Sequence, residues 1–204
     1  MLEESLAELD PRLQKQAASA RQAFDQGNPD YSVAVCLHIL KGHPGCVEVR
    51  QCLHDAYALK RHVRHPLARV VATVFRWFYA FQVRANLTGN PLKALELAEK
   101  FVAISPASVT GHWLLGQAAT AADLPKTAVF AFEEARRCDP SNGETLLALG
   151  TAYLVAGQNL NAVNTAEALL RLSPANAAAV HLRKKASVAQ SIQQGNLVRT
   201  ERTG

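Results

Sequence analysis

The chain has 204 residues, 49% of them apolar, 19% charged and 6% aromatic, with a formal net charge of +5 at pH 7. That length suits one compact domain or one array of small units, and the Ala- and Leu-rich, aromatic-poor balance favours helices over a sheet of β-branched and aromatic residues. The acidic opening "MLEESLAELD" lacks the basic cap and apolar run of a secretory leader, so a cytoplasmic location is expected, with Cys36, Cys46, Cys52 and Cys138 as reduced thiols.

Residues 1–12 read as an N-terminal segment, followed at 13–46 by a helical pair with "GNPDY" as its turn and Gly27, Ser32 and Pro44 as punctuation. The next stretch, 47–74, is degenerate: a helix containing Leu53, Ala56 and Tyr57 ends near "KRHVRHP". Pro66 then opens one long helix expected over about 67–88. Its apolar segment "LARVVATVFRWFYAFQVRANL" has spanning length but carries Arg69, Arg76, Gln82 and Arg84. A central Arg costs about 2.5 to 3.5 kcal/mol in a bilayer, so the helix is read as covered by protein.

From residue 75 onward the punctuation is periodic. Pro106, Pro140 and Pro174 recur every 34 residues, as do Ala94, Ala128 and Ala162, then Phe81, Leu115 and Leu149, and the turn residues Gly89, Asp123 and Gly157. Gly116 and Gly150 share the interval. Within 109–142, His112, Leu115, Gly116 and Ala119 fall on one face of a first helix. Pro125 opens a second helix, in whose first turn a missing N–H costs little, and Ala128, Phe132 and Ala135 form its facing stripe. Pro140 then restricts Asp139 and stops it.

These features resemble the tetratricopeptide repeat family, a 34-residue helix–turn–helix with Leu-Gly and Tyr in its first helix and Ala, an aromatic and a terminal Pro in its second. The match is best at 109–142 and at 143–176, where Leu146, Leu149, Gly150 and Tyr153 fit. At 75–108, Phe78, Phe81, Ala94 and Pro106 fit but Gln82 replaces the glycine, and Ala98 and Ala166 replace the second-helix aromatic. The resemblance implies an all-α, right-handed solenoid with its array over 13–176. A capping helix is expected at 177–194 and a disordered tail at 195–204.

The resemblance further implies a concave groove, lined by first helices, that holds a protein or peptide partner. The positions off the packing stripe are Arg76, Tyr79, Val83 and Asn86, then Trp113, Gln117 and Thr120, then Leu147, Thr151 and Leu154. This set suits an amphipathic or extended segment held by apolar contact, with amides and hydroxyls fixing its register. Trp113, Gln117, Ala148 and Thr151 stand where the chaperone-peptide binders of the family carry a Lys and Asn clamp, which argues against that activity. Trp113 lies one residue after the family's usual aromatic position, at His112, so it faces either the groove or, with a modest rotation, the core between helices.

Residues 56–95 hold Lys60, Arg61, Arg64, Arg69, Arg76, Arg84 and Lys93 and no acidic residue. Beside Trp77, Phe78 and Tyr79 they could serve nucleic acid phosphates or an anionic membrane surface, a less favoured partner class than solvating charge around a buried helix. Self-association through the irregular 47–74 region is a further alternative, since the missing residues could leave the long helix partly uncovered. Cys36, His38, His43, Cys46, Cys52, His54, His62 and His65 cluster in sequence, but Cys36 and His38, like Cys52 and His54, point to different sides of a helix. No metal, cofactor or catalytic residue is assigned: phosphate loops, H-E-x-x-H and G-x-S-x-G are all absent from the sequence.

Overall fold

The computed structural model describes residues 3–60 and 66–201, with the side chains of 66–72 and 195–201 excepted. Among the described residues there are ten α-helices, one short 3-10 helix at Leu6–Glu8 and no strand. The helices are α1 (Pro11–Asp25), α2 (Pro29–Gly42), α3 (Val47–Leu59), α4 (Pro66–Asn86), α5 (Pro91–Ile104), α6 (Val109–Ala121), α7 (Pro125–Cys138), α8 (Gly143–Val155), α9 (Asn159–Leu172) and α10 (Ala177–Glu201). The chain divides into two compact units, residues 1–138 and 139–204.

Local chemistry sets these boundaries. Asn28, Asn90, Ser108 and Asn142 cap α2, α5, α6 and α8, each side chain accepting the amide three residues on and satisfying a donor that the helix leaves open. Pro29 and Pro91 occupy first-turn positions. The turn between α6 and α7 needs a left-handed residue, supplied by Asp123 at φ 57°; Gly157 takes φ +74° at the matching turn between α8 and α9. Asp is among the few side chains that tolerate this conformation.

In the first unit the hairpins α4–α5 and α6–α7 stack side by side, with α5 packed on α6. The hairpin α6–α7 closes around Gly116, where an added Cβ would sit 2.5 Å from the Phe132 ring. In the second unit α8 pairs with α9, and α10 packs on both. Here Ala166 offers no aromatic, and the space over Gly150 is filled by Leu182 of α10, 2.6 Å from a built Cβ. The last helix runs to Glu201, past the 177–194 expected for a cap and through most of the stretch read as a disordered tail. No proline interrupts 195–201, so nothing in that stretch forces a stop.

The amino-terminal helices follow a different plan. α3 packs on α2 and α1 and reaches across to α5 and α7. A buried ion cluster makes that crossing: Arg50 Nε donates to Glu99 Oε1 at 2.6 Å and its Nη1 donates to the Pro44 carbonyl at 2.8 Å and to Thr127 Oγ1 at 3.2 Å. His54 Nε2 lies 3.0 Å from Glu99 Oε2. Ahead of α1, the Glu3 carboxylate accepts the backbone amides of Lys126 and Thr127, each at 2.7 Å, at the N-terminus of α7 where the helix dipole favours an anion. Burial alone would raise the Glu99 carboxyl, but attraction to His54 and Arg50 and their hydrogen bonds hold it at about 2.

Candidate functional site

The first helices α4, α6 and α8 carry the residues expected to line a groove, and the structure places them unequally. On α6 the packing stripe His112, Leu115, Gly116 and Ala119 is buried, while Trp113 and Gln117 are half-buried and Thr120 is exposed. The Trp113 indole N–H is shielded from solvent and has no acceptor among the described residues. Thr120 Oγ1 donates to the Gly116 carbonyl at 2.8 Å. On α8, Leu147 and Leu154 are half-buried and Thr151 is exposed. Leu147 leans on the Leu146, Leu169 and Ala179 core, and Thr151 Oγ1 donates to the Leu147 carbonyl at 2.8 Å. Both threonine hydroxyls thus give their proton to their own helix, a common use of a mid-helix Thr. Only their acceptor lone pairs remain for a ligand.

On α4 the expected sides are exchanged. Val83, read as a groove residue, is 0% exposed. Arg76 is half-buried with its guanidinium 5.8 Å from the Phe101 ring centre, so it turns toward α5. Asn86 Nδ2 donates to the Gln82 carbonyl, and Tyr79 is half-buried between Phe75 and Phe78. Phe78 and Phe81, read as packing positions, are exposed together with Val74, Phe75 and Trp77. Val74, Trp77, Phe78 and Phe81 have the three- and four-residue spacing of one helical face, with Trp77 74% and Phe81 71% exposed. The described part of α4 packs on α5 and touches α6, which corrects the reading of this helix as wholly covered by protein. The physical reason is the route of α3, whose apolar face is used on α2, α5 and α7.

The basic stretch is only partly described. Arg61 and Arg64, with His62 and His65, lie outside the described residues, as does the Arg69 side chain. Lys60 Nζ pairs with the Asp30 carboxylate, which leaves it less available to a phosphate. Among the described residues no helix is long and apolar enough to cross a membrane.

A cavity of about 710 Å³ in the first unit lies between α1, α3 and the helices α5 to α7, lined in part by Cys36, Cys52, His54, His112 and Phe130. Burial lowers the His112 imidazole, helped by its neighbour His54. His112 Nε2 lies 2.7 Å from the Pro106 carbonyl, to which it donates. The Arg50–Glu99–His54 cluster beside this cavity was not legible in the sequence, because Arg50 and Glu99 stand 49 residues apart in segments whose repeat register does not match.

Stacked helix–turn–helix pairs with a glycine at the close approach and a proline or capped turn at each end define the class of helical-repeat proteins. The solved structures narrow this to the tetratricopeptide-repeat fold. The first TPR of Spaghetti (RPAP3), bound to the HSP90 peptide SRMEEVD, matches at 17% identity and TM-score 0.53, over 57% of this chain and 93% of that one. YrrB, a TPR protein with an unusual peptide-binding site, matches at 12% identity and TM-score 0.50, over 83% and 90%. The TPR2AB domain of yeast Sti1 in a pHSP90 complex matches at 14% identity and TM-score 0.50, over 86% and 69%. No family model matches the sequence, and no curated protein does.

Proposed function

We propose that the chain is a non-catalytic cytoplasmic adaptor that binds an apolar segment of a protein partner on the exposed face of α4. The observation that carries this reading is the stripe Val74, Trp77, Phe78 and Phe81, with Phe75 beside it, open to solvent on one helix. A contiguous apolar face rimmed by polar residues signals a partner, whereas scattered exposed apolar residues do not. Aromatic side chains are favoured binding anchors. The fold supports the same role, since the Spaghetti structure holds an HSP90 peptide and the Sti1 structure is a pHSP90 complex. A second surface, Tyr79, Trp113 and Gln117, is favoured by the Trp113 indole N–H, which is shielded yet has no acceptor among the described residues.

Affinity capture with the intact chain tests both surfaces. A Trp77→Ser, Phe81→Ser double variant with an unchanged thermal midpoint should lose the captured partner, and a Tyr79→Ala, Trp113→Ala variant should keep it. The reverse pattern moves the site to the second surface. Identical capture by all three versions would refute binding on either. Sedimentation across a concentration series asks whether the partner is a second copy. A salt titration separates apolar binding, which persists as salt rises, from phosphate binding, which weakens steeply.

A further inference from the structure

Helix α3 opens a hairpin that the chain does not complete. It packs on α2 and α1 as α6 packs on α5 and α4, which is the place of a first helix. In the repeat that α6 opens, the 14-residue α7 follows before α8 begins. After α3 ends at Leu59, only residues 60–65 precede α4, which starts at Pro66. That length is less than two helical turns, so the chain supplies no second helix there. The second helices that would flank it, α2 and α5, are left on either side of a cleft.

The cleft has a volume of about 860 Å³ and lies in the first unit, with Arg50 and Tyr57 of α3 at its base. Its walls are apolar. Val33, Leu37 and Leu40 line it from α2, at spacings of four and three, and Leu92, Leu95 and Ala103 line it from α5. Leu37 is 43% and Leu92 41% exposed. Each wall extends along two to three turns of its helix.

The rim is basic, formed by the exposed side chains of Lys41, Lys60, Lys93 and Lys100. Lys93 and Lys100 share the single carboxylate of Glu96, at 2.9 and 2.7 Å, and Lys60 pairs with Asp30. Lys41 has no ion pair among the described residues. Four cations thus meet two carboxylates, while Arg50 and Glu99 below them satisfy each other.

We propose that this cleft seats an acidic amphipathic helix of a partner protein, which supplies the second helix that the array lacks. A helix held in a groove anchors through apolar residues three and four apart, and the lysine surplus selects carboxylates on either side of that stripe. Charge argues against a second copy as the occupant. Helix α4, which exposes its own apolar face, carries Arg69, Arg76 and Arg84 and no acidic residue, and α10 carries Arg183, Lys184, Lys185 and Arg199 against Glu201 alone. The cleft shares no residue with the exposed stripe of α4, so each site stands or fails by itself.

The test is selection of random 14-residue peptides, the length of α7, from a display library on the full chain, with a Leu37→Ser, Leu92→Ser variant as the counter-selection. Both leucines are exposed, and an unchanged thermal midpoint confirms that the variant is folded. The expected peptides are net acidic, carry apolar residues three and four apart, gain helical circular dichroism on binding, and lose at least about tenfold in affinity on the variant. Lys41→Glu, Lys93→Glu should weaken them at least about tenfold as well, and exchanging the peptide's glutamates for lysines should recover binding to that variant. Trp77→Ser, Phe81→Ser should leave their affinity unchanged. Selection of no peptide that depends on Leu37 and Leu92, or of dependent peptides without an acidic bias, would overturn the proposal. So would a concentration-dependent dimer of the chain that Leu37→Ser, Leu92→Ser abolishes, since a second copy would then fill the cleft.

Discussion

Helices α4 and α6 open successive repeats with the same spacing of positions, yet one exposes the stripe that the other buries. Phe78, Phe81 and Gln82 on α4 stand 34 residues before His112, Leu115 and Gly116 on α6. His112 is 2% and Leu115 0% exposed, whereas Phe78 is 52% and Phe81 71% exposed. What differs is the preceding helix. α6 follows α5 and packs on it, while α4 follows α3, which packs on α2 and α1 and is carried by Arg50 to α5 and α7. In a repeat array the register decides which residues are apolar, and the neighbour decides whether they are dry.

Breaking the ion cluster that holds α3 in place should have the largest effect. Arg50→Ala leaves the Glu99 carboxylate buried without its main partner and is expected to cost about 3 to 5 kcal/mol, measured by urea denaturation. The same cluster gives a pH signature. A carboxyl held at about 2 stabilises the fold fully above its unfolded value of about 4.3, and that contribution fades as pH falls through the window between the two. The stability gap between wild type and Glu99→Gln should therefore close as pH is lowered from 5 toward about 2. A gap that is constant with pH would show that Glu99 is not ionised in the folded chain.

The next effect sharpens the comparison directly. Leu115→Ala should cost about 2 to 5 kcal/mol, and Phe81→Ala at the matching position should stay within about 0.5 kcal/mol. Equal losses would mean that α4 is covered after all. Smaller again is Gly116→Ala, for which the methyl must displace the buried Phe132 ring. Overpacking of about 1 to 3 kcal/mol is offset in part by the roughly 1 kcal/mol helix preference of Ala over Gly. Gln82→Ala, at the half-buried matching position, should be near neutral.

The periodic part of the fold was legible because its signals are local. Pro106, Pro140 and Pro174, the turn residues Asp123 and Gly157, and the small residues Gly116 and Gly150 each state a requirement within one hairpin. The long helix from Pro66 was legible for the same reason. The route of α3 was not: it depends on Arg50 meeting Glu99, two charged residues that a sequence reading assigns to solvent until their partners are known. Everything downstream of that route was missed with it, including the exchange of faces on α4, where Val83 is buried and Trp77 and Phe81 are open.

The aromatic face of α4 stands open in the isolated chain. Trp77 and Trp113 are the two tryptophans present, so Trp113→Phe leaves Trp77 as the sole indole reporter, and acrylamide quenching of its fluorescence reads its exposure. A water-like emission maximum and quenching close to that of free tryptophan in solution are expected for a side chain 74% exposed. A blue-shifted, weakly quenched Trp77 in dilute monomeric protein would contradict the account.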